Sequence, residues 1–286
     1  MLGRIDIHKE QNISSFGVVA AIRRLLGTKR CGHSGTLDPM ATGVLSVYVG
    51  RATTFIERLR TPVKEYVGTL RFGASSDTLD IWGTMTSFEG AIPTREAIEA
   101  MLPRFTGNIE QIPPMVSALK HKGKPLYKYA REGKEIERTP RRVYIETFSC
   151  LSLTETEATF FVRCSKGTYI RSLFSDLARE LGTEGVMSSL CRIENDGICL
   201  EDCYTLEEIA EMKASGDMRF LREPGELQPF ERVEVQATLL ENWRRGIKTP
   251  LPAARWTGER ILLTQNGHFI GTALRSGEKY LPEKVL

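Results

Sequence analysis

The stretch GHSGTLDPMATGVLSVYVG, residues 32–50, sets one aspartate, Asp38, in a glycine-rich loop just ahead of a long apolar run. An Asp-Pro pair in such a loop is ordinary turn chemistry. The same residues also suit a carboxylate held out for reaction. Gly32 and Gly35 let a ligand approach the backbone with no Cβ in the way, and the run VLSVYV anchors the loop to a buried strand, a rigid support for a reactive group. On these residues alone both readings stand.

Working outward, Ser14 or Ser15 caps a helix through about Leu26, with Val18, Val19, Ile22, Leu25 and Leu26 on one face and Gly27 stopping it. KEYVGTLRFG, residues 64–73, sets Tyr66, Gly68, Leu70 and Phe72 against Val67, Thr69 and Arg71, a strand alternation. A helix is predicted near 95–102 after Pro93 and Thr94. Two further strands, VYIETFSCLSL and EATFFVRC, lead to a helix carrying Ile170, Leu173, Phe174, Leu177, Ala178 and Leu181 at helical spacing. Thr205 with Glu208 forms a capping-box pattern. From about Gln228, short pieces such as RILLTQ and HFIGTAL recur between glycine turns. Strands and helices without a regular βαβ alternation predict an α+β fold.

The 286 residues are 41% hydrophobic and 26% charged, the composition of an ordinary globular chain. No stretch reaches the roughly 18 apolar residues of a membrane span. The start reads as lacking a secretory signal, which predicts a cytoplasmic location. Six cysteines and four histidines show no paired metal-ligand spacing, so the cysteines read as mostly buried, reduced thiols and no metal is expected. Residues 117–142 hold nine Lys/Arg against three Glu, a local net charge of +6 in a chain totalling +3, which leaves −3 elsewhere. Such a segment is a candidate polyanion contact or a solvated helix face with Lys-Glu pairs.

Four placements invite chemistry. Asp38 is one. Arg171 lies near a helix start, where the dipole disfavours a cation, and position 175 is a serine, so no acid pairs with it at i+4. It needs a carboxylate or phosphate from elsewhere, for structure or for function. Tyr66 sits on the face shared with Leu70 and Phe72, as a core tyrosine or as a ring that stacks on a nucleobase. His33, flanked by small residues, is placed at a loop tip, able to stack, donate a proton or rest in solvent.

RCGHSGTLDPMATGVLSVYVGRAT, KEYVGTLRFG followed by SSDTLDIWG, QIPPMVSALKHKGKPLYKYAREG, and CSKGTYIRSL with DLARELG occur in an order that resembles bacterial TruB-type tRNA pseudouridine synthases. The likeness covers roughly residues 9–192, and GHSGTLDPMATGVL with CSKGTYIR is far more specific than a lone short motif. It implies a catalytic domain over 1–227, with a mixed, largely antiparallel sheet flanked by helices, and a basic thumb at about 113–142. A small PUA-like RNA-binding domain is implied over 228–286. The implied activity is isomerisation of the T-loop uridine at tRNA position 55, the base being flipped out, detached and rejoined through C5. No cofactor and no obligate protein partner are implied, and the family expectation is a monomer acting on the T arm.

The resemblance implies a role for each candidate. Asp38 matches the nucleophilic aspartate, Tyr66 the tyrosine that packs on the flipped base, and Arg171 the arginine paired to the aspartate. His33 matches a histidine contacting the distorted loop; Asp80, Tyr169 and Leu190 fall on further pocket positions. Lys120, Lys122, Lys124 and Lys128 fall in the thumb as phosphate contacts, and Lys9 matches a substrate-contacting position. One departure stands near the start: KEQNISS has Glu10 and Asn12 where the family shows Pro and Gly. Asn tolerates left-handed geometry better than most residues, which would preserve the turn. Two other classes compete: a tRNA-binding folding assistant, which would not need Asp38, Tyr66 and Arg171 together, and a carboxylate glycosidase, which would need a second acid paired with Asp38.

Overall fold

Strand β1 (Leu2–Lys9) is buried along nearly its whole length, on both faces. Ile5 and Ile7 face one hydrophobic core. Arg4 and Asp6, at 0% and 1% exposure, answer each other: Arg4 Nε donates to Asp6 Oδ1 at 2.8 Å and Nη2 to Oδ2 at 2.9 Å. Ser46 Oγ and Arg222 Nη1 also donate to this carboxylate. Charges taken out of water persist only when paired and hydrogen-bonded in this way.

The computed structural model describes residues 2–253 and 255–286, which form two compact units. One comprises the chain up to Pro39, Gly43–Thr61 and Asn195–Leu286; the other comprises Met40–Thr42 and Pro62–Glu194.

In the first unit, helix α1 (Ser15–Leu26) begins at Ser14, whose hydroxyl accepts from the Gly17 amide, and ends at Gly27 with φ 61°. That is the left-handed cap only glycine adopts without strain. Val18, Val19 and Ile22 pack on Ile5, Ile7, Leu45, Val47 and Val49. β2 (Cys31–His33) and β3 (Thr42–Gly50) follow, and β3 runs antiparallel to both β1 and β2.

The second unit opens with β4 (Val63–Phe72), where Tyr66, Gly68, Leu70 and Phe72 are buried and the intervening residues are not, as the alternation predicts. β5 (Ala74–Ser76) and β6 (Met85–Ser87) form a small ribbon. Helix α2 (Arg95–Met101) starts on Thr94, whose side chain accepts from Ala97. β7 (Gly107–Gln111), the short pair β8 (Lys120–His121) and β9 (Lys124–Pro125), α3 (Leu126–Arg131), β10 (Arg141–Leu153), β11 (Glu157–Ser165), α4 (Ile170–Glu180) and β12 (Gly185–Asn195) complete it. The sheet of this unit runs β12-β4-β11-β10-β7. α4 lays its apolar face on the sheet, where Phe174 stacks near Phe148 and Phe160 at centroid distances of 6.3 and 5.4 Å.

After Asn195 the chain is again part of the first unit. Helix α5 (Leu206–Ala214) has the predicted capping box of Thr205 and Glu208. The tail builds a five-stranded sheet in the order Arg232–Glu234, Arg260–Gln265, His268–Ser276, Lys279–Val285, Leu251–Pro252. It has a core of its own, with Val233, Leu240, Trp243, Ile261 and Tyr280. Leu262 and Phe269 also close a cluster with Tyr48, Ala52, Phe55 and Leu59, so residues 228–286 share packing with the N-terminal strands of their unit.

Two sequence readings need correction. Strands β1 and β12 went unread because buried polar residues, Arg4 and Asp6 in one and Arg192 and Asn195 in the other, interrupt their apolar pattern. Of the six cysteines, all free, only Cys31 and Cys164 are buried; the other four are half-buried. Burial pushes the Cys164 thiol up to about 11, which keeps it protonated near neutral pH.

Replacing Asp6 with Ala leaves the Arg4 guanidinium uncompensated in the core. We expect unfolding by urea to show a loss of about 3–5 kcal/mol, with Arg4→Met added to Asp6→Leu recovering most of it.

Candidate functional site

The loop that carries Asp38 is fixed on both sides of the aspartate. Ser15, one residue past the helix cap, turns its hydroxyl away from α1: Oγ donates to the Leu37 carbonyl at 2.9 Å and accepts from the Leu37 amide at 2.8 Å. On the far side, the Pro39 carbonyl accepts from the Asn12 amide at 3.0 Å and from Lys9 Nζ at 3.3 Å. Leu37 is buried while Asp38 stays half-buried. The backbone is fixed on both sides of Asp38, which as a residue is only half-buried. This is the arrangement of a presented group rather than of a spare turn residue.

Asn12 sits at φ 66°, so the left-handed turn survives the replacement of glycine by asparagine. The placement of Lys9 corrects its reading as a substrate contact. It is 1% exposed, and its ammonium donates to the carbonyls of Glu10, Ile13 and Pro39. A buried ammonium with its three donors aimed at backbone oxygens positions the loop. His33 ends β2, pairs with Val47 of β3 and is half-buried.

In the second unit Arg171 is the organising charge. At 3% exposure on the first turn of α4, its Nη1 donates to the Thr78 carbonyl at 2.7 Å and its Nη2 to the Val116 carbonyl at 2.9 Å. Its Nε lies 3.7 Å from Asp80 Oδ2. Asp80, itself buried, also accepts from Thr78 Oγ1 at 2.7 Å and from the Trp82 amide at 3.0 Å. The carboxylate demanded by a cation at a helix start is thus in part Asp80, brought from 91 residues away in sequence.

Tyr169 stands at the N-cap of α4 without a side-chain cap. Its backbone is instead held at both ends by Gln111, which accepts from the Tyr169 amide at 2.8 Å and donates to its carbonyl at 3.0 Å. Tyr66 lies on the buried face of β4. Two residues along that face is Gly68, where an added Cβ would come within 3.0 Å of Leu190 and 3.1 Å of Phe174. Glycine therefore lets Leu190 and Phe174 of α4 settle low on the strand at position 68, two residues along from Tyr66. Tyr66, Asp80, Tyr169, Arg171 and Leu190 all belong to this unit; His33, Asp38 and Lys9 belong to the other.

The basic segment is rooted at the same arginine, through Val116. β8 and β9 form a hairpin whose turn residues Lys122 and Gly123 both take positive φ, 47° and 83°, the geometry a tight hairpin requires. Lys120, Lys122 and Lys128 are exposed. Lys124 differs: it is ion-paired to Glu132 and lies 4.5 Å from the Tyr129 ring centroid. The Lys124 and Lys134 ammoniums hold the Glu132 carboxyl below its ordinary range. Both sequence readings of the segment thus hold in part, with solvated cations and Lys-Glu pairs side by side.

Ser15 and Gln111 escaped the sequence reading as site residues. Ser15 was visible only as one of two possible helix caps, and Gln111 only as the first letter of QIPPM. Neither role has a local signature, because each side chain bonds a backbone segment 22 or 58 residues distant. Among the described residues no group of three or more His, Cys, Asp or Glu is arranged to hold a metal ion. No helix among them is long and apolar enough to cross a membrane.

Residues 23–170 match the model of the TruB family pseudouridylate synthase N-terminal domain. The chain is 38% identical over 295 residues to tRNA pseudouridine synthase B of Streptococcus pyogenes serotype M1, covering 99% of both chains. It is 40% identical over 258 residues to the protein of that name from Lactococcus lactis subsp. lactis, covering 86% of this chain and 78% of that one. Among solved structures, a Cbf5-Nop10-Gar1 complex matches with a TM-score of 0.75 at 23% identity over 99% of this chain and 84% of that one. An H/ACA RNP bound to a substrate RNA containing 2'-deoxyuridine matches at 0.74 and 21%, with the same coverage. These last likenesses establish the fold, a pseudouridine synthase sheet with a C-terminal β-rich part. With near-complete coverage of its Streptococcus pyogenes relative and the family model matched from α1 to α4, this chain belongs to the TruB family of pseudouridine synthases.

Proposed function

We propose that the protein isomerises the uridine at position 55 in the T loop of tRNA to pseudouridine, with Asp38 as the nucleophile. The single observation that carries this reading beyond family membership is the Asp38 loop. Its backbone is clamped at Leu37 and Pro39 while Asp38 between them is only half-buried. In the reaction the N1–C1′ bond breaks, a C5–C1′ bond forms, the hydrogen on C5 leaves as a proton and N1 takes up a proton, and the bond that Asp38 makes as nucleophile breaks again before the product leaves. Atoms and electrons balance within the nucleotide, so the chemistry calls for no oxidant, reductant or group donor.

The remaining residues take supporting roles. A uridine reacting at both C1′ and C5 must leave its stack, at a cost of a few kcal/mol, and an aromatic face with an apolar wall recovers part of that cost. Tyr66, with Leu190 packed at Gly68 two residues along, is suited to this work. Arg171 supplies a fixed positive charge for an active site that gathers negative charge. Asp80 and Tyr169 are its positioning neighbours, and His33 faces the opened loop. The basic thumb draws the phosphate backbone. The same reading places the protein in the cytoplasm, acting as a monomer on the T arm.

The direct assay is tritium release from tRNA carrying label at uridine C5, since the new carbon–carbon bond displaces that hydrogen. Wild-type protein is expected to release one equivalent, and none from tRNA lacking the T-loop uridine. Asp38→Asn should abolish release while tRNA affinity stays within about tenfold, or roughly 1.4 kcal/mol. Full activity in that variant would remove Asp38 from the mechanism.

The thumb gives a second test. Combined Lys120→Ala, Lys122→Ala and Lys128→Ala should weaken binding to all tRNAs. The plot of log affinity against log salt should flatten by about 0.7–0.9 for each phosphate that is no longer neutralised. Lys124→Ala, whose charge is already matched by Glu132, should change the slope less. An unchanged slope in the triple variant would return the segment to a solvated face.

A further inference from the structure

The turn over residues 76–84 holds its backbone with unusual completeness and leaves its largest side chain half exposed. Asp80 Oδ1 accepts from the Trp82 amide at 3.0 Å, and Asp77 Oδ1 accepts from the Thr84 amide at 2.8 Å. The Ile81 amide donates to the Met187 carbonyl, and the Met187 amide to the Leu79 carbonyl, each at 3.1 Å. Leu79 is held at φ 61°, a strained conformation for a branched side chain. Gly83 admits no Cβ, which would fall 2.2 Å from Asp77 Oδ1 and 2.4 Å from Ser76 Oγ and Thr78 Oγ1. Between these fixed points the Trp82 side chain stands 50% exposed.

Single exposed apolar residues need no explanation. Here Ile81 and Trp82, on a turn that Arg171 ties down through the Thr78 carbonyl and Asp80, and Met85 and Phe88 just beyond it are all exposed within eight residues. The same guanidinium fixes the Val116 carbonyl at the root of the net +6 segment. One buried cation therefore anchors both a rigid aromatic projection and a solvated array of ammonium groups. A nucleotide has two complementary parts, an aromatic base and an anionic phosphate. A purely apolar protein partner would match the turn but make no use of its tie to the basic segment.

We propose that Trp82 is a second stacking platform for substrate RNA, separate from the Tyr66 face, which receives an unpaired base next to the reacting nucleotide and sets affinity rather than chemistry. Bases stack on aromatic side chains with little sequence preference, so the site takes a nucleobase as a class. The inference rests on the reading of the protein as an RNA-modifying enzyme. Removing the indole leaves the Trp82 amide and its bond to Asp80 in place, so the Arg171–Asp80 pair is untouched.

The test compares wild type, Trp82→Phe and Trp82→Ala with a T-arm stem-loop RNA, following tryptophan emission, filter retention and initial rates of tritium release. Saturating RNA is expected to quench wild-type emission and to leave Trp82→Phe emission nearly unchanged. Trp82→Ala should weaken retention about tenfold or more, raise KM in proportion and leave kcat at saturating RNA as in wild type. Trp82→Phe, which keeps a stacking face, should fall between. Equal quenching in wild type and Trp82→Phe, or equal affinity in wild type and Trp82→Ala, would overturn the proposal and assign the apolar strip to a protein partner. Were Trp82→Ala to fail to fold, the emission comparison with Trp82→Phe still decides. If wild type isomerises the RNA but the variants match it, only this inference falls; if wild type neither retains nor isomerises it, the enzymatic reading falls as well.

Discussion

The second unit depends on the burial of one guanidinium. Arg171 enters a site with 3% exposure at the helix end where the backbone dipole opposes a cation. Burying such an ion costs several kcal/mol unless its donors are met. They are met by two carbonyls and a carboxylate from two separate segments, Thr78 and Asp80 in one and Val116 in the other. None of the three is close to Arg171 in sequence, so satisfying the charge fixes the relative placement of the turn after β5, the root of the thumb and α4. A lysine could not do this, because its compact ammonium lacks the planar fork that reaches several acceptors in fixed directions.

Around Asp38 the same end is reached largely through backbone groups. A serine hydroxyl uses both its donor and its acceptor capacity on one residue, Leu37, and a buried lysine spreads its donors over three carbonyls. The left-handed Asn12 is part of the brace, since its amide is a second donor to the Pro39 carbonyl.

Much of this architecture was legible in the residues and some was not, for definable reasons. α1, α2, α4 and α5 followed from caps and apolar spacing, and β4 from its alternation, because those signals act within a few residues. β1 and β12 carry buried polar side chains that interrupt the apolar alternation, so nothing in the local pattern distinguished them from loops. Asp38, Tyr66, His33 and Arg171 were singled out by their placement, and the other candidate residues through motif order. What the motifs withheld was the support: Ser15 on Leu37, Gln111 on Tyr169, Lys9 turned inward and Lys124 matched by Glu132. Each is a side chain meeting a group that only the fold brings near, and a residue type gives no sign of the direction in which it points.

The thumb shows why charge counting overstates an RNA contact. Its net +6 includes cations that already have acids beside them: Lys124 and Lys134 at Glu132, and Arg138 at Glu135. Surface pairs of this kind are worth at most about 1 kcal/mol, so a phosphate can displace the carboxylate readily. The exchange swaps one anion for another, however, and contributes little to the counterion release that drives nucleic-acid binding. On the proposed function, the salt-dependent attraction would fall to the exposed lysines, with Lys120, Lys122 and Lys128 foremost among them.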